Sequence, residues 1–476
     1  MCEWALTSGT GNDDPMSDFP GHFGLDLEHL VPGVLCLKDD GSFVLQLTDF
    51  IFKPEQLDMS QQNVVSFSED PAKVVADFMP RDILGLLADG QSVTLFGALM
   101  KDPMFLFTSA RQTFQGSMAL VGAHLRDERD QVAGIRWTWR LPADMAFHHG
   151  RSSEAVTGLI PGDLEEWGRE QGMGIQFRTT KATPLRTLRN QVQLYCSQLL
   201  GLWTAEKVPG VTHTEVLVGS RWCVLHVQDS DPISLRRSSF MPAQDLSLAT
   251  FAAWIPLAYK VDPFPFILNG LTNTLQLDAQ VLATALEGLH RRLHVDRPRL
   301  EGIPQRAVDR AAKQARHSGV EILQSEGYSD DDKAHSVFRE TLRHLNQMTY
   351  QERAVDLLEP VRQVVPSIFG PDLLKWIGMV KKIRNHQSHQ LILEFNEPCI
   401  ALYYVVVESC RWAMVLRILL ELSPEYDFKS NLARSNRFSF ALANIDREKL
   451  WPEFSALADF RAHVQGSAVD KPKALS

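Results

Sequence analysis

The sequence predicts an α+β multidomain chain: an N-terminal antiparallel β-sandwich-like domain followed by an all-α helical bundle. Three observations predict it. Residues from about 19 to 230 carry many short apolar runs with period-two alternation, punctuated by turn residues. After about residue 240 the apolar spacing becomes helical. The chain shows no alternation of strands with crossover helices and no internal repeat, so a parallel sheet or a solenoid is not expected. A length of 476 residues accommodates two or three domains.

The strand candidates follow in chain order. Phe43 to Phe50 is one. Ser92 to Gly97 is another, entered through the turn signal Asp89-Gly90. In Gly134 to Leu141, the residues Ile135, Trp137, Trp139 and Leu141 face one way with polar residues opposite, which marks both tryptophans as core. Glu215 to Val218 and Trp222 to Val227 flank Gly219-Ser220 and read as a hairpin. Residues 1–17 are polar and rich in Gly, Ser and Asp, and read as a disordered tail, with the β-rich domain spanning 18–240.

Helices are expected at Leu246 to Lys260 and at Leu271 to Leu293, the latter with Leu275, Val281, Leu282, Leu286 and Leu289 on its apolar side. Further helices are expected near 304–317, 332–348, 351–366, 371–390 and 399–422, broken by Gly370-Pro371 and Pro398. The helical domain is placed at 241–464 and a flexible tail at 465–476.

A composition of 44% hydrophobic and 22% charged residues is that of a soluble globular protein, and a net charge of -10 argues against nonspecific coating of nucleic acid. Cysteines 2, 36, 196, 223, 399 and 410 form no Cys-x-x-Cys pair, so no zinc knuckle or disulfide framework is expected. The setting reads as reducing and cytoplasmic. No secretory signal is expected, and the apolar stretches Cys399 to Val407 and Trp412 to Leu422 read as buried helix rather than membrane span. Nucleotide-binding glycine loops and hydrolase motifs are absent, so neither cofactor nor ATP-driven chemistry is expected.

The informative segment is Arg384-Asn385-His386-Gln387-Ser388-His389, preceded by Lys381 and Lys382. Asn385 and His389, at i and i+4, share a helix face, while Arg384 sits about 140° from His389 at ~100° per residue. Cleavage of RNA by its own 2′-hydroxyl needs a base, an acid and charge stabilisation at phosphorus. Histidine titrates near neutrality and serves as base or acid. The arginine fork holds phosphate oxygens and the amide orients them. One histidine cannot conveniently fill both proton roles. A symmetric dimer supplies a second, and His386 is the other source. His386 and His389 also have ligand spacing, but nothing nearby in sequence completes a metal site.

The arginine-amide-histidine spacing resembles the R-x(4–6)-H signature of HEPN ribonucleases. The segment Leu282 to Arg292 resembles the helix that opens the HEPN domain of the ApeA-like anti-phage proteins, and Ile83 to Leu95 resembles a strand pair of their N-terminal domain. The resemblance implies a metal-independent HEPN endoribonuclease in abortive-infection defence that cleaves cellular RNA such as tRNA and dimerises through its HEPN domain. The two-domain layout suggests that the β-rich domain is the sensor or regulatory part, holding the nuclease off until a phage-derived trigger arrives. Arg384, His389 and Asn385 match the catalytic positions. Glu287 sits where the family has a helical glutamate, although an i,i+4 ion pair with Arg291 explains it equally well. His-Gln-Ser between Asn385 and His389 is more polar than the family's usual residues.

From 286 to 318 there are eight basic residues, at 291, 292, 297, 299, 306, 310, 313 and 316, against four acids. With Arg291, Arg292, Lys381 and Lys382 they suggest an RNA-facing surface or an ordinary solvated helix face. His290 and His294 have metal-ligand spacing, which long basic helices also show by chance. The competing reading is a non-catalytic RNA-binding or oligomerisation module whose β domain recognises a phage or cellular partner.

Overall fold

A computed structural model describes residues 17–52, 57–61, 64–67, 78–101, 104–106, 109–139, 153–169, 172–204, 208–228, 240–242, 245–272, 274–294, 297–390 and 397–469. The chain divides into two compact units, 1–237 with 242–256, and 238–241 with 257–476. Of the expected disordered tail at 1–17, residues 1–16 lie outside the described residues, as does Leu141, and Ser17 is instead the first residue of a strand.

Among the described residues every strand pairing of the first unit is antiparallel. Its strands are β1 (Ser17–Gly24), β2 (Val31–Leu37), β3 (Phe43–Leu47), β4 (Leu57–Gln61), β5 (Val64–Phe67), β6 (Arg81–Leu87), β7 (Ser92–Met100), β8 (Met104–Leu106) and β9 (Ser109–Gly116). They continue as β10 (Met118–Val121), β11 (Gln131–Trp139), β12 (Glu154–Val156), β13 (Gly162–Arg169), β14 (Gly172–Pro184), β15 (Val211–Val218) and β16 (Arg221–Val227). All but β4 and β5 form one sheet.

That sheet closes on itself over β7-β6-β1-β2-β3-β9, because β9 pairs back to β7. One edge of β7 serves two partners: Val93 to Phe96 bond β10, then Leu99 and Met100 bond β9. The handover falls at Gly97, whose φ of +57° is left-handed and whose N–H donates to Asp82 Oδ1 at 2.8 Å. Phe23, Leu35, Phe43, Leu45, Ile83, Val93, Leu95 and Phe114 fill the ring. The alternation that predicted β3 and β7 is thus the inward face of a small barrel.

Beyond β7 the sheet runs open as β10-β16-β15-β11-β14-β13-β12. One face is covered by a helix made of α1 (Leu185–Leu188), a π-helical turn at Arg189–Gln193, and α2 (Leu194–Thr204). Trp137 and Trp139 are fully buried, and Trp139 Nε1 donates to Ser197 Oγ at 2.8 Å. On the opposite face Arg136 is ion-paired with Glu215 and lies between the rings of Trp167 and Trp222.

The helices that follow are α3 (Leu248–Val261), α4 (Phe264–Asn269), α5 (Leu275–Leu293), α6 (Gln305–Ser325), α7 (Asp331–Leu342), α8 (Tyr350–Val364), α9 (Leu373–Gln390), α10 (Glu397–Leu422), α11 (Phe428–Arg434), α12 (Asn436–Arg447) and α13 (Ala456–Val469). Within the second unit α5, α8, α9 and α10 pack on one another as a bundle. Leu282, Leu286, Leu289 and Leu293 are its buried stripe on α5. Val281 is 40% exposed and is not part of that face, contrary to the sequence expectation. The helix also starts at 275 rather than 271. Asp278 Oδ1 instead accepts from Thr272 N and Oγ1, holding the preceding turn open.

The two apolar stretches around Glu408 form a single helix, α10. By length and composition it could cross a membrane, but most of it is buried as the core helix of the bundle. Inside it Trp376 Nε1 of α9 donates to Ser409 Oγ at 2.9 Å. Beyond 422 the sequence assigns the chain to the helical domain without placing individual helices, and α13 runs to Val469, past the expected start of the flexible tail at 465. They are anchored by an aromatic cluster of Phe240, Trp412, Phe438 and Phe460.

Candidate active site on the helical unit

The candidate segment occupies the last turns of α9. Asp372 Oδ1 accepts from Lys375 N at 2.9 Å and caps the start of this helix. Trp376, Ile377, Val380 and Ile383 are buried, which turns Arg384 toward α5 and α8 and leaves Asn385 exposed. The helical backbone continues through His386 and His389, whose side chains lie outside the described residues.

Arg384 is the centre of a defined constellation. Its Nη2 lies 2.9 Å from Glu287 Oε2. Its guanidinium stacks over the Tyr350 ring at 5.0 Å. Tyr350 is held in turn, because its hydroxyl donates to Ala283 O at 2.8 Å. The local reason is a capping box: Thr349 Oγ1 accepts from Glu352 N and Glu352 Oε2 accepts from Thr349 N, which fixes Tyr350 as the first residue of α8. Burial pushes the Tyr350 hydroxyl far above its ordinary pKa, so it stays protonated.

Glu287 gathers more than one cation. Its Oε1 accepts from Arg291 Nη2 at 2.9 Å and lies 4.0 Å from Nε of the buried Arg353. Glu287 thus makes the expected i+4 pair with Arg291 and, in addition, reaches Arg384 across the bundle. Arg291 is engaged with this carboxylate, whereas Arg292, Lys381 and Lys382 are exposed. Lys381 lines an open groove with Arg299, Glu352, Asp356 and Glu359.

One turn beyond Glu287, His290 Nε2 lies 2.9 Å from Asp356 Oδ2. His294 stacks on His290, with centroids 4.8 Å apart, and its Nδ1 lies 3.9 Å from the same oxygen. These three ligand atoms fall within 4.8 Å of one another and could hold a divalent ion. The carboxylate oxygen they share already accepts from Arg297 at 2.5 Å, so an ion would have to displace a guanidinium. The sequence showed the two histidines but not Asp356, which comes from α8.

Burial is the main cause holding both imidazoles below their ordinary pKa, against the pull of Asp356. Burial would raise Asp356, but bonds from Arg297 and His290 outweigh it and keep the carboxyl low. The sign follows. A histidine depressed on folding contributes stability at pH values above its unfolded pKa of about 6.5, and loses it as pH falls toward the folded value. Thermal unfolding should therefore show a melting temperature that falls as pH drops below about 6.5. His290→Gln should flatten that slope. An unchanged slope in the variant would place the titration elsewhere.

Residues 281–428 match the family model described as Apea-like HEPN. The match covers less than half of the chain and takes in Glu287, Tyr350, Arg384, Asn385 and His389. The C-terminal half is helical and carries this HEPN domain, and the β-rich half precedes it. HEPN domains are generally ribonucleases, so the domain indicates an RNA-related nuclease role in defence at the family level. Comparison with curated proteins and with solved structures returns no match.

Proposed function

We propose that the protein is a metal-independent HEPN endoribonuclease of anti-phage defence, acting on cellular RNA, with tRNA the foremost substrate class. The observation that carries this reading is the pinned guanidinium of Arg384, held by Glu287 at 2.9 Å and by the Tyr350 ring on the helix that also bears Asn385 and His389. A fork fixed on two sides presents its remaining N–H groups to phosphate oxygens with little entropy left to lose.

In the proposed reaction the 2′-oxygen attacks phosphorus and the bond from phosphorus to the 5′-oxygen breaks. One histidine removes the 2′-hydroxyl proton and a second protonates the departing 5′-oxygen. Arg384 takes the charge that develops on the phosphoryl oxygens, and Asn385 orients them. A dimer through the HEPN domain supplies the two His389 side chains; His386 is the alternative second group. The β-rich unit is assigned the role of sensing a phage-derived trigger.

Sequencing RNA ends after induction tests the reading. The wild type should produce 2′,3′-cyclic phosphate and 5′-hydroxyl ends at recurrent positions, unaffected by EDTA in the purified reaction. Ends bearing 5′-phosphate, or loss of cleavage in EDTA, would sink it.

A further inference from the structure

Helices α6 and α7 pack on each other as a hairpin between α5 and α8 of the bundle sequence. Its base is stitched by Arg299 N donating to Asn346 O at 2.7 Å and by Asn346 Nδ2 donating to Gln305 Oε1 at 2.9 Å. Only Val308 and Val320 of α6 are buried, with Ala334 on α7. The Phe338 ring packs against Gly319, where a Cβ would come within 2.5 Å of it. The inner face of α6 is thereby spent on α7.

Arg306, Arg310, Lys313 and His317 are all exposed. At ~100° and ~1.5 Å per residue they fall within a sector of about 60° and extend about 16 Å along the helix. Among the described residues Arg306, Arg310 and Lys313 have no ion pair. Elsewhere in this unit Arg291, Arg297, Arg299, Arg362 and Arg417 each have a carboxylate. Here Arg306 faces Arg310 at i+4, a like-charge pair that is unfavourable for an isolated helix and favourable once a polyanion covers it. Asp309 lies four residues before Lys313, and His317 is placed against Glu321 at 3.3 Å, so the repulsion is confined to the two arginines. The chain as a whole carries -10, so this stripe is not a general excess of base.

We infer that this stripe of α6 is a binding surface for the phosphate backbone of the RNA substrate. The inference rests on the ribonuclease reading for the identity of the polyanion. Three guanidinium or ammonium groups along about 10 Å of helix can follow successive phosphates of one strand, and they carry no base readout. The stripe then contributes affinity and the Arg384 centre contributes chemistry.

The test uses the full chain carrying His389→Ala, so that RNA is bound without turnover, and compares it with the same chain carrying Arg306→Gln, Arg310→Gln and Lys313→Gln. Total tRNA is the probe, titrated from about 50 to 200 mM salt. Neutralising three phosphate contacts should weaken binding at least tenfold at the lower salt and reduce the slope of log K against log salt by about two. In the active chain, cleavage of a short oligonucleotide too small to reach α6 should keep its rate. An unchanged salt slope overturns the inference even if cleavage is confirmed. A reduced slope in a protein that never cleaves RNA supports the stripe and rejects the nuclease reading. Lost binding to phosphatidylserine vesicles with unaltered tRNA binding would assign the stripe to a membrane surface and overturn it. Because all three side chains are exposed, the variant should melt with the parent, and a second set carrying Glu at the same positions should enlarge the effect.

Discussion

Replacing His389 with alanine is expected to slow RNA cleavage by about 10²- to 10⁴-fold, the range that a positioned proton-transfer group contributes. Single-turnover cleavage of a defined RNA, followed on a gel, measures it. Arg384→Ala should fall in a similar range, because the charge it stabilises develops in the same transition state. The double variant should be little worse than either single one, since groups that act as one unit are not additive. Arg384→Lys discriminates further: it keeps the charge and loses the fork, so a rate near wild type would mean that bidentate holding is unimportant. Both chains must melt like the parent for the result to count as chemistry. Undiminished cleavage in His389→Ala would remove this residue from the mechanism and leave His386 as the proton carrier to test.

The sequence made the class of each half legible because the signals are local. Period-two alternation over Ile135, Trp137 and Trp139 needs no tertiary knowledge to mark a buried strand face, and both tryptophans are fully buried. The Asp89-Gly90 turn joins β6 to β7 as its chemistry dictates, with Gly90 at φ +84°. Barrel closure was not legible, because it depends on where one edge of β7 changes partners at Gly97, and nothing in the period of the strand records that exchange. Val281 was misplaced for a related reason. It is apolar, yet it lies about 100° round the helix from Leu282, off the buried stripe, and is 40% exposed.

At the site the same division holds. Arg384, Asn385 and His389 are close in sequence and were visible as a spacing. Tyr350, Arg353 and Asp356 reach α5 from α8, more than 50 residues away, and single-sequence reasoning has no means to bring them there. A partial signal existed: Thr349 followed three residues later by Glu352 is a capping box, which fixes where α8 begins. It could have placed Tyr350 on the first turn but not beneath a guanidinium. Glu287 was legible as a partner of Arg291, and only the fold adds Arg384 to it.

Glu287→Ala is expected to have the second large effect, on stability and catalysis together. The carboxylate is 19% exposed and faces three guanidinium groups, one of them on Arg353, which is 3% exposed. Removing it leaves neighbouring cations with less compensation in a poorly solvated place. Breaking such a pair from one side costs about 3 kcal/mol, the lower end of the range for buried pairs because the site is not fully closed. For a unit of this size that corresponds to a fall in melting temperature of about 6 to 12 °C. Arg384 also loses its lateral anchor and keeps only the Tyr350 ring, so its fork can swing by an ångström or more. A displacement of that size costs on the order of 100-fold in rate. Glu287→Gln separates the two effects. It preserves the shape and one accepting oxygen, so it should recover part of the thermal stability while cleavage stays reduced, with KM for RNA raised above that of the parent. The informative opposite is an increase in cleavage. A faster Glu287→Ala enzyme would mean that the carboxylate competes with phosphate for Arg384, and Glu287 would then act as a restraint on the site in place of a support for it.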